Sequence, residues 1–343
     1  MLRHLPIAVI LLLLTIGLVF LSLLSVTVGP MSISLHDSIQ SLFFRSQDIA
    51  THVNLVIHQI RLPRTVLCLL VGAILAICGV VMQGLFRNPL AEPGIIGVSA
   101  GASLGAAIAI VALASWQVDN YWFGLLTLPF CAFVGGLLTT LFVYHLGTNQ
   151  LGTSVTIMLL AGVAISALSG AGIGYLNFLA DDQMLRDLTL WSMGSFAGAN
   201  WQQIAIALFT LLVLIHFFYR RAMALNALLL GESEARHLGI AVQPLKRTLI
   251  VLCAAGVGVT VSVAGMIGFV GLVVPHLGRM LIGPDHRYLL PVSALLGALL
   301  LTCADMFARV AVAPSELPIG IVTALVGAPF FLYLLFKQKG KIY

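Results

Sequence analysis

Charge is what this sequence has least of. Of 343 residues, 8% are Asp, Glu, Lys or Arg, against about 25% in a soluble globular chain. So few charges cannot clothe a water-facing surface, and 60% of the residues are apolar with a mean hydropathy of +1.09. A soluble protein is excluded, and an all-α polytopic membrane protein is expected. Lysine occurs four times, never followed by Ser or Thr, so the Gly-rich loop with Lys and Ser/Thr that cradles a nucleotide triphosphate is missing. No His-Glu-x-x-His occurs, which removes the ligands of an intramembrane zinc protease. The five cysteines, Cys68, Cys78, Cys131, Cys253 and Cys303, sit singly in apolar runs without a C-x-x-C pair. They read as apolar filler, with neither disulfide nor metal site expected.

What the sequence does contain is long uncharged runs. A membrane helix needs about 20 apolar residues, and the runs 4–36, 65–86, 93–118, 120–180, 188–219, 248–278, 288–304 and 317–336 supply them. The first, from Leu5 to Val28, is too long for a cleaved signal segment and is expected to be a true helix. Run 120–180 holds two spans around the polar break His145–Gln150. Run 248–278, rich in glycine and carrying Pro275, holds one full helix and one short or broken one. About ten spans result, in one transmembrane domain, 1–343.

Basic residues set the orientation, because cytoplasmic loops collect Lys and Arg. With both termini cytoplasmic, that face has Arg3, Arg87, Arg220, Arg221, Arg236, Lys246, Arg247, Arg279, Arg287, Lys337, Lys339 and Lys341. The outside keeps Arg45, Arg61, Arg64, Arg186 and Arg309. The net charge of +5 therefore reads as topology and not as nucleic-acid binding. Every Asp and Glu lies at or near a span end, which leaves His216 and His145 as candidate proton carriers. Arg64-Thr65-Val66-Leu67 and Arg247-Thr248-Leu249-Ile250 open the second and seventh spans from opposite sides, an echo of an inverted repeat.

Several segments admit two readings. Gly97-Val98-Ser99-Ala100-Gly101 matches the serine-hydrolase elbow, yet Gly97, Gly101 and Gly105 fall on one helix face, which favours close helix packing. Gly162, Ser166, Gly170 and Gly174 form a second small-residue ladder, suited to packing or to lining a wide path. In the loop 220–247, Leu230, Glu234 and Leu238 follow i, i+4 spacing between Gly231 and Gly239, as in a short helix lying on the cytoplasmic face. Such a helix is either a solvated connector or a dock for a partner. Arg61, Arg64 and Arg309, at outer helix ends, are interfacial anchors or a receptor for carboxylates.

The run Arg61-Leu62-Pro63-Arg64-Thr65, the stretches Gly79–Gly84 and Asn88–Gly97, the segment Gly268–His276, Asp285-His286-Arg287, Glu316–Gly320 and Gly327-Ala328-Pro329 resemble the iron-compound and cobalamin permeases of type II ABC importers. The resemblance covers about residues 55–337. It implies an inverted-repeat, ten-span permease of the cell inner membrane that pairs with a second copy. Two cytoplasmic ATPase subunits would bind the ATP, and a periplasmic substrate-binding protein would deliver the ligand. The chain itself would be non-catalytic, hold no permanent cofactor or metal, and contact membrane lipid but no nucleic acid. By the same resemblance Arg61, Arg64 and Arg309 dock the binding protein. Gly231, Glu232, Glu234, Ala235, Arg236, Leu238 and Gly239, within coupling helices at about 228–240, seat in the ATPases. Ser154, Val155 and Thr156 form a cytoplasmic gate, and the fifth span with Gly162, Ser166 and Gly170 lines the path. Segment 183–195, with Leu185-Arg186-Asp187-Leu188-Thr189-Leu190-Trp191, is similar to haem permeases except for Leu190, where an aromatic is usual. Haem is the expected substrate, with ferric siderophore and cobalamin as alternatives. His276 and His286 are candidate haem ligands, but a structural or gating role is preferred for both. A proton-coupled secondary transporter and a non-transporting scaffold are the competing classes.

Overall fold

A computed structural model of the chain describes residues 6–31, 33–44, 51–113, 121–149 and 152–339. In chain order the helices are α1 (Ile7–Thr27), α2 (Leu35–Phe44), α3 (Thr51–Leu85), α4 (Val98–Ala112), α5 (Tyr121–Leu146) and α6 (Val155–Leu179). They continue as α7 (Asp182–Ser192), α8 (Trp201–Arg220), α9 (Ala222–Leu230), α10 (Glu232–His237), α11 (Val242–Ala264), α12 (Val270–Ile282), α13 (His286–Val310) and α14 (Ile319–Lys339). Among the described residues seven helices (α1, α3, α5, α6, α8, α11 and α13) are long and apolar enough to cross a bilayer, and three shorter apolar ones (α4, α12 and α14) accompany them. These are the spans expected from the uncharged runs. Run 248–278 resolves into full α11 and short α12, as its glycines and Pro275 foretold. Of the residues used for orientation and boundaries, Leu5, Arg3, Arg45, Gln150 and Lys341 lie outside the described residues.

The bundle is built around α3. Its apolar window is 83% buried, against 6% for α1, which stands at the periphery. Between membrane helices there is no hydrophobic driving force, so close packing must supply the attraction, and small residues permit it. At Gly79 a Cβ would run into the carbonyl of Gly271 on α12, and at Gly72 into that of Gly297 on α13. Two bare backbones therefore cross α3 where a side chain would hold them off.

The helix contacts obey an exchange of α3, α4, α5 and α6 with α11, α12, α13 and α14. The pair α3–α13 becomes α11–α5, α4–α5 becomes α12–α13, and α3–α12 becomes α11–α4. Likewise α5–α6 becomes α13–α14, α4–α6 becomes α12–α14, and α3–α11 maps onto itself. Five crossings (α3, α4, α5, α6 and α8) separate the start of α3 from the start of α11, so the halves run in opposite senses. That is an inverted repeat. Both halves also enter their second helix through a left-handed residue, Gly97 (φ 84°) before α4 and Phe269 (φ 67°) before α12.

Candidate functional site

At one end of the bundle a run of π-helix, Val56–Arg61, finishes on Arg61 and hands over to the regular turns that carry Arg64. Arg309, on the last turn of α13, reaches the same place. Structure brings the three arginines together, as a shared role requires, but they are buried to within 5% of full exclusion from solvent. Arg61 donates to the carbonyls of Val26 (3.0 Å) and Thr27 (2.6 Å), in the last turn of α1 where acceptors lack helical partners, and of Met31 beyond it. Arg309 donates to Ser25 O (2.9 Å), Val28 O (3.0 Å) and Ser25 Oγ (2.6 Å), and pairs with Asp305 at 3.0 Å. Arg64 grips Asp305 through Nε and Nη2 (3.0 and 2.9 Å) and Glu316 through Nη1 (2.7 Å). Asp305, 1% exposed, is thus the hub of the cluster, and residue-type reading passed over it. Its partner Arg64 is 241 residues away in sequence, although the i, i+4 spacing to Arg309 was a local signal for half of the arrangement.

At the opposite end, between α8 and α11, the expected single helix is two. Gly231 (φ 137°) breaks the chain between α9 and the six-residue α10, and Gly239 (φ 81°) follows its last turn. Leu230 therefore ends α9 and does not share a helix with Glu234 and Leu238. Ala235 is fully buried, and Glu232 is tied to the buried Lys246 of α11, so α10 is anchored to the bundle. Arg236 stands 4.0 Å from Glu232. This segment also exposes Met223 (62%), Leu230 (71%) and Leu238 (64%). Exposed large apolar side chains suit contact with lipid or with a protein partner.

The turn ahead of α6 is a two-residue antiparallel pairing, Thr148 with Thr153 and Asn149 with Gly152, and Thr153 Oγ1 donates to Gln243 of α11 at 3.0 Å. Ser154 caps α6 by accepting the Ile157 N–H (3.4 Å). Val155 is half-buried and Thr156 exposed. On α6 itself Gly162 is buried, whereas Ser166, Gly170 and Gly174 are exposed, and a Cβ on Gly170 or Gly174 would meet open space. The contrast with Gly101 and Gly105 is clear: a Cβ there would strike the backbone of Gly135 and Cys131 on α5. The Gly97–Gly105 face is a packing seam, whereas the α6 ladder beyond the buried Gly162 is not packed within this chain.

A second, partly buried acid stands between α3 and α4. Glu92, on the segment that returns from the end of α3 towards α4, accepts the Phe269 N–H at 3.1 Å. It lines a cavity of about 280 Å³ with Leu75, Val257, Val261, Met266 and Gly271. Leu75 lies within α3, so Glu92, in the segment between two spans, shares a cavity that reaches into the bundle. Its carboxylate fixes the strained entry into α12 across 177 residues of sequence, which no local pattern reveals. His286 is buried, its Nδ1 2.7 Å from Asn226 Oδ1 and its Nε2 face against Gly84. His276 meets the edge of Phe330. His286 is a packed structural histidine in this state. His145 and His216, the candidate proton carriers, are exposed. Among the described residues no group of three or more His, Cys, Asp or Glu is placed to hold a metal.

Comparison with known proteins joins these features. The model of the FecCD transport family matches residues 17–337. The chain is 43% identical over 335 residues to the haemin transport system permease protein HmuU of Yersinia pestis, covering 95% of each chain. It is 46% identical over 286 residues to the vitamin B12 import system permease protein BtuC of Salmonella typhimurium, covering 83% of this chain and 84% of that one. A solved inward-facing metal-chelate type ABC transporter superposes with a TM-score of 0.82 at 36% identity, covering 96% of this chain and 99% of the other.

Proposed function

The chain belongs to the FecCD transport family, and from that membership we infer that it is the permease subunit through which an ATP-driven importer carries haem inward across the cell inner membrane. The observation that carries the haem assignment is extent. The haemin permease is matched along nearly the whole chain, the cobalamin permease over a shorter stretch, and the 183–195 segment is also haem-like. Cobalamin is the second reading, favoured by the slightly higher identity within that shorter stretch.

The work is divided among subunits. ATP is hydrolysed on two separate cytoplasmic subunits that seat on α9 and α10, where Leu230 and Leu238 offer apolar contact and the Glu232–Lys246 pair transmits movement to α11. A second copy packs so that the α6 faces bearing Ser166 and Gly170 enclose the path, with Ser154, Val155 and Thr156 at its cytoplasmic mouth. A periplasmic binding protein docks over Arg61, Arg64 and Arg309. Their donors are largely occupied within the chain, so docking acts on a preorganised basic cluster and not on free side chains. The residues 1–343 act as one transmembrane domain with both termini cytoplasmic. No bond is made or broken in the substrate by this chain, and a smooth, weakly binding path favours release.

Proteoliposomes holding the permease and its ATPases test the substrate by competition. Radiolabelled haem uptake, driven by haem-loaded binding protein, is expected to be unaffected by excess ferric siderophore or cobalamin. Uptake of cobalamin in place of haem would overturn the haem assignment and leave the permease role standing.

A further inference from the structure

The buried arginine cluster has one unequal member. Asp305, 1% exposed, is held by two arginines, whereas Glu316 leaves its side chain about a third exposed and makes a single ion pair, to Arg64 Nη1 at 2.7 Å. Glu316 closes the segment 311–316, whose residues are all exposed, and Leu317 is the next residue fastened back, its N–H to Ala308 O at 3.0 Å. Immediately beyond, the head of α14 is stitched to the chain after α7, Ile319 N–H to Gly194 O (3.1 Å) and Gly320 N–H to Met193 O (3.0 Å). The same place is tied to the end of α11 by Ser195 N–H to Ala264 O (2.9 Å). Further along α14, a Cβ on Gly327 would strike Phe269, the residue that Glu92 holds. A run of backbone hydrogen bonds, ending on a close contact of Gly327 with the Phe269 side chain, therefore leads from the Arg64–Glu316 pair towards α12.

Resting on the docking role given to the arginines, we propose that Glu316 is a built-in stand-in for the docking protein's carboxylate. It occupies Arg64 while no binding protein is present, and an incoming carboxylate displaces it, which frees 311–318 and loosens the head of α14. The outermost, half-solvated partner of a shared guanidinium is the one that exchanges, because leaving costs it least desolvated contact. Asp305, buried and doubly held, keeps the arginines in place throughout.

Titration of the transporter in lipid nanodiscs, with its ATPases and its own binding protein, tests this. Glu316→Gln removes the competitor and is expected to tighten binding-protein affinity about two- to tenfold and to raise ATPase turnover in the absence of binding protein. In an Arg64→Gln background the same change is expected to have no effect on affinity, since the contested site is gone. A purely structural Glu316 predicts the reverse sign, weaker docking, and that result, or unchanged affinity, overturns the proposal. If Glu316→Gln does not assemble with the ATPases, Glu316→Asp keeps the charge on a shorter stem and is expected to tighten docking by a smaller factor; no tightening there also overturns it. Arg61→Gln separates the two layers of the argument. Weakened docking by Arg61→Gln together with unchanged docking by Glu316→Gln sinks the stand-in alone, whereas docking indifferent to Arg61→Gln sinks the docking role itself.

Discussion

Asp305 organises the arginine cluster at one end of the bundle, and its removal has a definite expected cost. With Asp305→Asn, Arg309 loses its carboxylate partner and Arg64 keeps Glu316 alone, so a buried ion pair is broken from one side. Uncompensated buried charge costs about 3–5 kcal/mol. The thermal midpoint of the detergent-solubilised permease is therefore expected to fall clearly; an unchanged midpoint would mean that the cluster is wetter or looser than its geometry. The arginines themselves were readable from the sequence as residues standing at helix ends. Their buried pairing was not, because Arg64 meets Asp305 and Glu316 across 241 and 252 residues. The contact made by Glu92 was hidden for a related reason. Counting charges between spans puts Glu92 between two helices but does not show that its carboxylate reaches Phe269.

Helices as units were far more legible than their partners. Uncharged runs located the ten apolar helices, because a bilayer demands length and hydropathy that local sequence either has or lacks. Glycine at 231 and 239 marked the bounds of α10. The i, i+4 pattern through Leu230 nevertheless suggested continuity that the left-handed Gly231 interrupts, since periodicity records spacing and not backbone conformation. The outcome is two short helices presenting Met223, Leu230 and Leu238 outward. Replacing Leu230 and Leu238 together by Asp places charge where the ATPase is proposed to seat. Co-purification of the ATPase with the double variant is expected to be lost while membrane insertion persists, because neither side chain packs inside the bundle. Retained co-purification would move the ATPase contact elsewhere.

For the whole molecule, the inverted repeat explains both what is rigid and what is left open. Exchange of the α3–α6 half with the α11–α14 half pairs six seams within and between the halves, α3–α11 with itself, and matches the left-handed entries at Gly97 and Phe269. Ser166 and Gly170 on α6 remain outside this pairing, bare and exposed, as a surface completed by a second copy would be. No nucleotide-cradling loop occurs anywhere in the sequence, so an importer built on this chain must draw its energy from another. That dependence is the centre of the account, and one measurement tests it most directly: haem accumulation by proteoliposomes containing the permease, with and without its ATPases, with ATP enclosed and haem-loaded binding protein outside. Accumulation is expected only when ATPase and ATP are both present, and is expected to survive an uncoupler that collapses the proton gradient. Accumulation without the ATPases, abolished by the uncoupler, would contradict an ATP-driven importer and point to proton coupling instead.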